Sequence, residues 1–94
     1  MIRCTRFRPY TKNTLRGFAD LELSRIGIVI RDCTWHEKNG KEWISFPARP
    51  YEKAGTTAWS PIVEFVEGAR EARSQFQEHA LAAVHAVAEE SAAS

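Results

Sequence analysis

IGIVIRDCTWHEKNGKEWISFPARP, residues 26–50, decides how this chain folds. Two runs rich in β-branched and aromatic residues flank Asn39-Gly40. Both of those residues accept positive φ, as a type I′ turn requires, and that turn suits the twist of a β-hairpin. A two-residue loop also fixes register. Lys38 faces Lys41, Glu37 faces Glu42, His36 faces Trp43, Trp35 faces Ile44, and Cys33 faces Phe46. Side chains alternate across a strand, so one face carries Cys33, Trp35, Ile44 and Phe46 and reads as core. The other carries Thr34, His36, Lys38, Lys41, Trp43 and Ser45. A Trp beside a His and two Lys on an open sheet face can stack a base and hold phosphates. The competing reading is a half-buried Trp, covered by the C-terminal helix or a second subunit.

Upstream, Ile2 to Arg8 reads as a first strand. Its Arg3, Arg6 and Arg8 either touch phosphate or guard an exposed edge against unwanted pairing. Pro9-Tyr10 and a polar loop, Thr11–Thr14, follow. Leu15 to Leu23 is a second strand, in which Leu15, Gly17, Ala19, Leu21 and Leu23 alternate with Arg16, Phe18, Asp20 and Glu22. Residues 1–48 therefore read as an antiparallel meander of four strands. Alternation breaks in the third: Ile28 and Ile30 share a face with Asp32, while Val29 shares one with Arg31 and Cys33. Either a β-bulge near Arg31-Asp32 or a change in which side is covered would account for it.

Downstream, Arg49 to Pro61 contains Pro50, Gly55 and Pro61 and reads as a long irregular segment. Such a segment is functional, part of an interface, or a surface excursion. Pro61 to Val66 adds a short extended piece. From Glu67 or Gly68 to about Ala88, Ala69, Ala72, Phe76, Ala80, Ala83, Val84 and Val87 recur at helical steps, and residues 89–94 should fray. The expected fold class is α+β: an antiparallel β-meander of four or five strands followed by one C-terminal amphipathic helix, in a single domain of residues 1–88. With 94 residues the chain buries a modest share of its surface, and a two-fold homodimer is expected.

The net charge of +1 makes no global case for nucleic acid, but the charge is unevenly placed. Residues 1–54 hold eleven Lys/Arg against six Asp/Glu, and residues 55–94 hold two against six. A basic sheet beside an acidic helix end is the reading. Cys4 and Cys33 are too few for a zinc site and read as small buried apolar residues. No apolar stretch is long enough to span a membrane and no signal peptide is evident, so a cytoplasmic protein with reduced thiols is expected.

Three runs are more specific than composition. They are Ile28-Val29-Ile30-Arg31-Asp32, then Asn39-Gly40, then Trp43-Ile44-Ser45-Phe46-Pro47-Ala48-Arg49. Together they resemble the stage V sporulation protein G (SpoVG) family, which has an apolar triplet and Asp, an Asn/Gly turn, then aromatic–aliphatic–x–apolar–Pro–small–basic. The likeness extends upstream through Arg16, Ala19 and Leu21–Leu23, and downstream to Ser60-Pro61-Ile62 and the closing helix. It implies a small dimeric bacterial regulator that binds nucleic acid, linked in other members to sporulation and septation, with subunits that share sheet edges or exchange elements. Two departures stand out: Arg49 is followed by Pro50 rather than by further bases, and the helix is Ala-rich with few bases.

No enzyme motif is present. His79 and His85 lie six apart, which is poor spacing for one metal, and no glycine-rich phosphate loop exists. Asp20 and Asp32 are either a carboxylate pair on adjacent strands or a structural device, with Asp32 anchoring a turn or pairing with Arg31 or Arg49. No catalytic residue, metal, cofactor or small-molecule substrate is assigned. The expected partner is nucleic acid, DNA in single- or double-stranded form, bound by the homodimer. Its candidate contacts are Arg31, Trp43, Arg49, Lys53, Arg70 and Arg73. The alternative is a protein-interaction module whose Trp59, Tyr51 and strand edge bind a protein.

Overall fold

The computed structural model describes Met1 to Ala93, and it is α+β. Four strands, β1 (Ile2–Lys12), β2 (Leu15–Leu23), β3 (Ile28–Lys38) and β4 (Lys41–Ser45), form one antiparallel sheet in chain order. A separate two-stranded ribbon, β5 (Ala48–Lys53) and β6 (Thr56–Pro61), follows. One helix, α1 (Arg70–Ala93), closes the chain.

The central hairpin forms as its turn chemistry requires. Asn39 and Gly40 have φ of 53° and 82°, both left-handed. The pairs Lys38–Lys41, Glu37–Glu42, His36–Trp43 and Trp35–Ile44 are all present. The ladder ends at Thr34–Ser45, one step short of Cys33–Phe46. Phe46 turns instead toward the helix, with its ring 4.7 Å from that of Phe76.

The broken alternation in β3 is a bulge. Ala19 pairs with Cys33 but Leu21 with Ile30, so β3 takes three steps where β2 takes two. Asp32 occupies the extra step at φ 58°. The bulge returns Ile30 and Cys33 to one face, and both are buried.

That face is the core. Ala19, Leu21, Ile30, Cys33 and Ile44 from the sheet meet Phe76, Ala80 and Val84 of α1, all buried. The three helix residues stand four apart, one above another on a single stripe. Each large side chain so buried contributes roughly 1.5–3 kcal/mol. Gln77 beside them reaches the free edge of the sheet: its Oε1 accepts the Ile44 N–H and its Nε2 donates to the Ile44 carbonyl, both at 2.8 Å.

Three expectations are corrected. Strand β1 runs on to Lys12, so the expected loop contracts to a turn at Asn13-Thr14, with Asn13 at φ 55°. Residues 49–61 are a hairpin and not irregular, turning at Ala54 and Gly55 with φ of 52° and 79°. Pro50 is tolerated there because both strands of a two-stranded ribbon are edges, where a missing N–H breaks no ladder. Helix α1 starts at Arg70, because Gly68 at φ 86° interrupts any earlier turn. It continues through Ala93 rather than fraying at Glu89, since Ala and Glu favour the helix. Ser94, part of the expected tail, lies outside the described residues. Among the described residues, no helix is long and apolar enough to cross a membrane.

Candidate nucleic-acid interface

With α1 on one face of the sheet, the other face stays open. Two cross-strand rows lie on it. The pairings align Arg8, Phe18, Thr34 and Ser45 in one row, and Lys12, Leu15, His36 and Trp43 in the next. The Arg8 guanidinium lies 4.7 Å above the Phe18 ring, and Tyr10 stands 5.9 Å from the same ring. His36 and Trp43 stack at 5.3 Å with their planes only 7° apart. Trp43 is thus half-buried by its sheet neighbour, not by the helix.

His36 is held at both nitrogens. Its Nδ1 lies 2.9 Å from the Thr14 hydroxyl and its Nε2 2.9 Å from the Thr34 hydroxyl. A neutral imidazole satisfies both contacts, donating at one nitrogen and accepting at the other. Burial pushes the His36 pKa below its ordinary value, which favours that neutral form.

The bulge is anchored from β2. Asp20, 7% exposed, accepts the Asp32 backbone N–H on Oδ1 at 3.0 Å. Its Oδ2 lies 3.5 Å from Arg31, whose side chain is largely exposed. Asp20 and Asp32 are therefore neighbours, and their link is structural. Replacing Asp20 by Ala would leave the bulge N–H without an acceptor, at a cost of about 1–3 kcal/mol. Asp20→Asn keeps an amide oxygen in the same place and should recover most of that loss. Urea unfolding of both variants checks this; equal losses would mean that the bulge does not depend on the acceptor.

Arg6, Arg8 and Arg31 converge with Phe18, Asp20 and Asp32 on a shallow pocket of about 170 Å³. Arg6 and Arg8 make no ion pair among the described residues. Arg8, Phe18 and Asp32 also line a second, larger groove of about 930 Å³ that reaches Trp59 and Ile62. Positive charge and aromatic surface are thus continuous across the open face.

The candidate contacts fall into three places. Arg31 and Trp43 belong to the open face. Arg49 and Lys53 alternate with Pro50 and Glu52 along β5, so they share a side of the ribbon with Tyr51 between them, all exposed. Arg70 opens α1, and Arg73 lies 5.9 Å over the Phe65 ring, which packs on the helix residue Phe76. Arg6 and Arg8, read from sequence as either phosphate contacts or edge guards, line this face, and Tyr10 and Phe18 beside them are absent from the candidate set. Their signal was the two-residue spacing of Arg6, Arg8 and Tyr10, which puts three side chains on one face.

Neither thiol is poised to react. Burial, with Asp20 and Asp32 nearby, pushes the Cys33 pKa up to about 12, and burial also raises that of Cys4. No protein-family model matches this chain, and no curated protein or solved structure matches it either.

Proposed function

We propose that this chain is a nucleic-acid-binding regulator of the SpoVG type, acting as a homodimer in the bacterial cytoplasm. The observation that carries the reading is the group Arg6, Arg8 and Arg31 beside Phe18 on the open sheet face. Arg6 and Arg8, without carboxylate partners among the described residues, suit phosphate oxygens, as does the exposed guanidinium of Arg31 that also reaches Asp20, and the adjoining rings suit bases. The resemblance of residues 28–49 to SpoVG supports the same reading. The exposed Arg49–Tyr51–Lys53 side of β5 offers a second strip of the same chemistry.

The dimer rests on the ribbon. A two-stranded hairpin is marginal alone in water, and β5–β6 is almost wholly exposed. Ile62 and Val66, exposed apolar side chains just after it, suit a second subunit. Exposed Tyr51 and Trp59 favour the second reading, a module that binds a different protein.

Titration with single- and double-stranded DNA at two salt concentrations separates the readings. Phosphate contacts release counterions, so affinity should fall steeply with salt. Arg6→Ala/Arg8→Ala should weaken binding across all sequences and flatten the salt slope by about two charges, and Arg49→Ala/Lys53→Ala should do the same if the ribbon joins the interface. Absence of binding at the lower salt would leave the protein-interaction module in its place.

A further inference from the structure

The groove between the open sheet face and the β5–β6 ribbon has a use that phosphate contacts do not require. Its floor is the row Arg8, Phe18, Thr34 and Ser45, and Trp59 and Ile62 line it from the ribbon side. We infer that this groove takes unpaired bases, so that the ligand is a single polynucleotide strand and not a duplex.

The inference rests on the nucleic-acid reading above and deepens it. The residues are ordered by chemistry along the row. Arg8 stands at the β1 end, where the groove joins the Arg6–Arg31 pocket and the charge suits a phosphate. Phe18 comes next, then the hydroxyl residues Thr34 and Ser45 toward β4. A nucleotide has the same order: phosphate, then a ring face, then an edge of donors and acceptors. A paired base hides its Watson–Crick edge and both ring faces within the stack, so a duplex could offer the groove its backbone and groove edges but no ring face to stack.

Two further observations support an aromatic ligand. Trp59 is 65% exposed, and a ring left in water while lining a groove is free to stack. His36, fixed at both nitrogens and stacked on Trp43, gives the neighbouring row a rigid, neutral surface. The hydroxyls accept or donate by rotation, so the groove holds bases without demanding one sequence.

The test is a binding titration of the full chain against oligothymidylate, oligouridylate and a duplex of equal length. Wild type should bind a single strand at least tenfold more tightly than the duplex. Trp59→Ala should lower single-strand affinity by about fivefold or more, leave the salt slope unchanged and spare duplex binding. Trp59→Phe should restore most of the loss, because it restores a stacking face. Trp59 is exposed, so the Ala variant is expected to fold, with circular dichroism and light-scattering mass confirming an unchanged fold and assembly. Equal affinity for strand and duplex would overturn the inference. So would a Trp59→Ala loss that tracks a change of mass, which would assign Trp59 to subunit contact. If in those cases Arg6→Ala/Arg8→Ala still weakens binding, the nucleic-acid reading survives alone. No binding of any probe at low salt would end both.

Discussion

Leu21→Ala is expected to remove about 2–5 kcal/mol of stability, the range for truncating a fully enclosed leucine. Leu21 has no exposed surface and lies in the second strand between Cys4 of β1 and Ile30 of β3. Its neighbours in the core include Phe76, Ala80 and Val84, which are tied to a helix and cannot easily sink into the space. Small domains have only about 5–15 kcal/mol in all, so the variant should lose a large share of its stability. The midpoint of urea unfolding should fall with little change in slope. A loss under about 1 kcal/mol would mean that helix and sheet close over the cavity, contrary to the rigid packing described.

Gly17→Val should be nearly as damaging, for the opposite reason. A Cβ at Gly17 would lie 2.8 Å from Phe7 Cε1, 2.9 Å from its Cζ and 3.0 Å from the Arg8 carbonyl oxygen. The Phe7 ring has little room to retreat, since it already leans on Trp35 with centroids 6.0 Å apart. Overpacking of this kind costs about 1–3 kcal/mol, and contact with a backbone oxygen pushes the figure toward the upper end. Trimming the ring should relieve it. Phe7→Leu combined with Gly17→Ala should therefore lose less than the sum of the two single changes. Strict additivity would show that the ring is not what excludes a side chain at Gly17.

These two positions also show what could be read from the chain and what could not. The central hairpin was legible because Asn39-Gly40 sets both turn and register within a few residues. The bulge was half legible. The lost alternation around Arg31-Asp32 marked its place, but the residue that stabilises it, Asp20, lies on a different strand and leaves no local sign. The β5–β6 hairpin was missed because its turn is Ala54-Gly55, without the Asn or Asp that usually announces positive φ, and because Pro50 argued against a strand. Gly17 looked like an ordinary member of an alternating strand, since only the fold brings Phe7 over it.

The candidate interface followed the same pattern. Arg31 and Trp43 stood in the specific part of the sequence and reached the open face. Arg6, Arg8, Tyr10 and Phe18 did so through alternation alone, and which side of β1 faces away from the helix depends on its pairing with β2. Arg49 and Lys53 share a side because residues 48–53 are a strand; as a loop they would have had no fixed relation. Arg70 and Arg73 belong to the helix, and Arg73 lines a pocket with Pro61 at the end of β6.

The amide of Gln77 has a consequence for growth of the sheet. By occupying both the N–H and the carbonyl of Ile44, it takes the place of one residue of a fifth strand near the end of β4. A fibre that grows through the four-stranded sheet needs both of its borders, and Gln77 shuts one. A strand added to this sheet edge to edge must therefore come to β1, while the β5–β6 ribbon keeps its own edges. Joining of the large sheet through β1 ends at a pair, whereas a sheet with both borders open could add copies without limit.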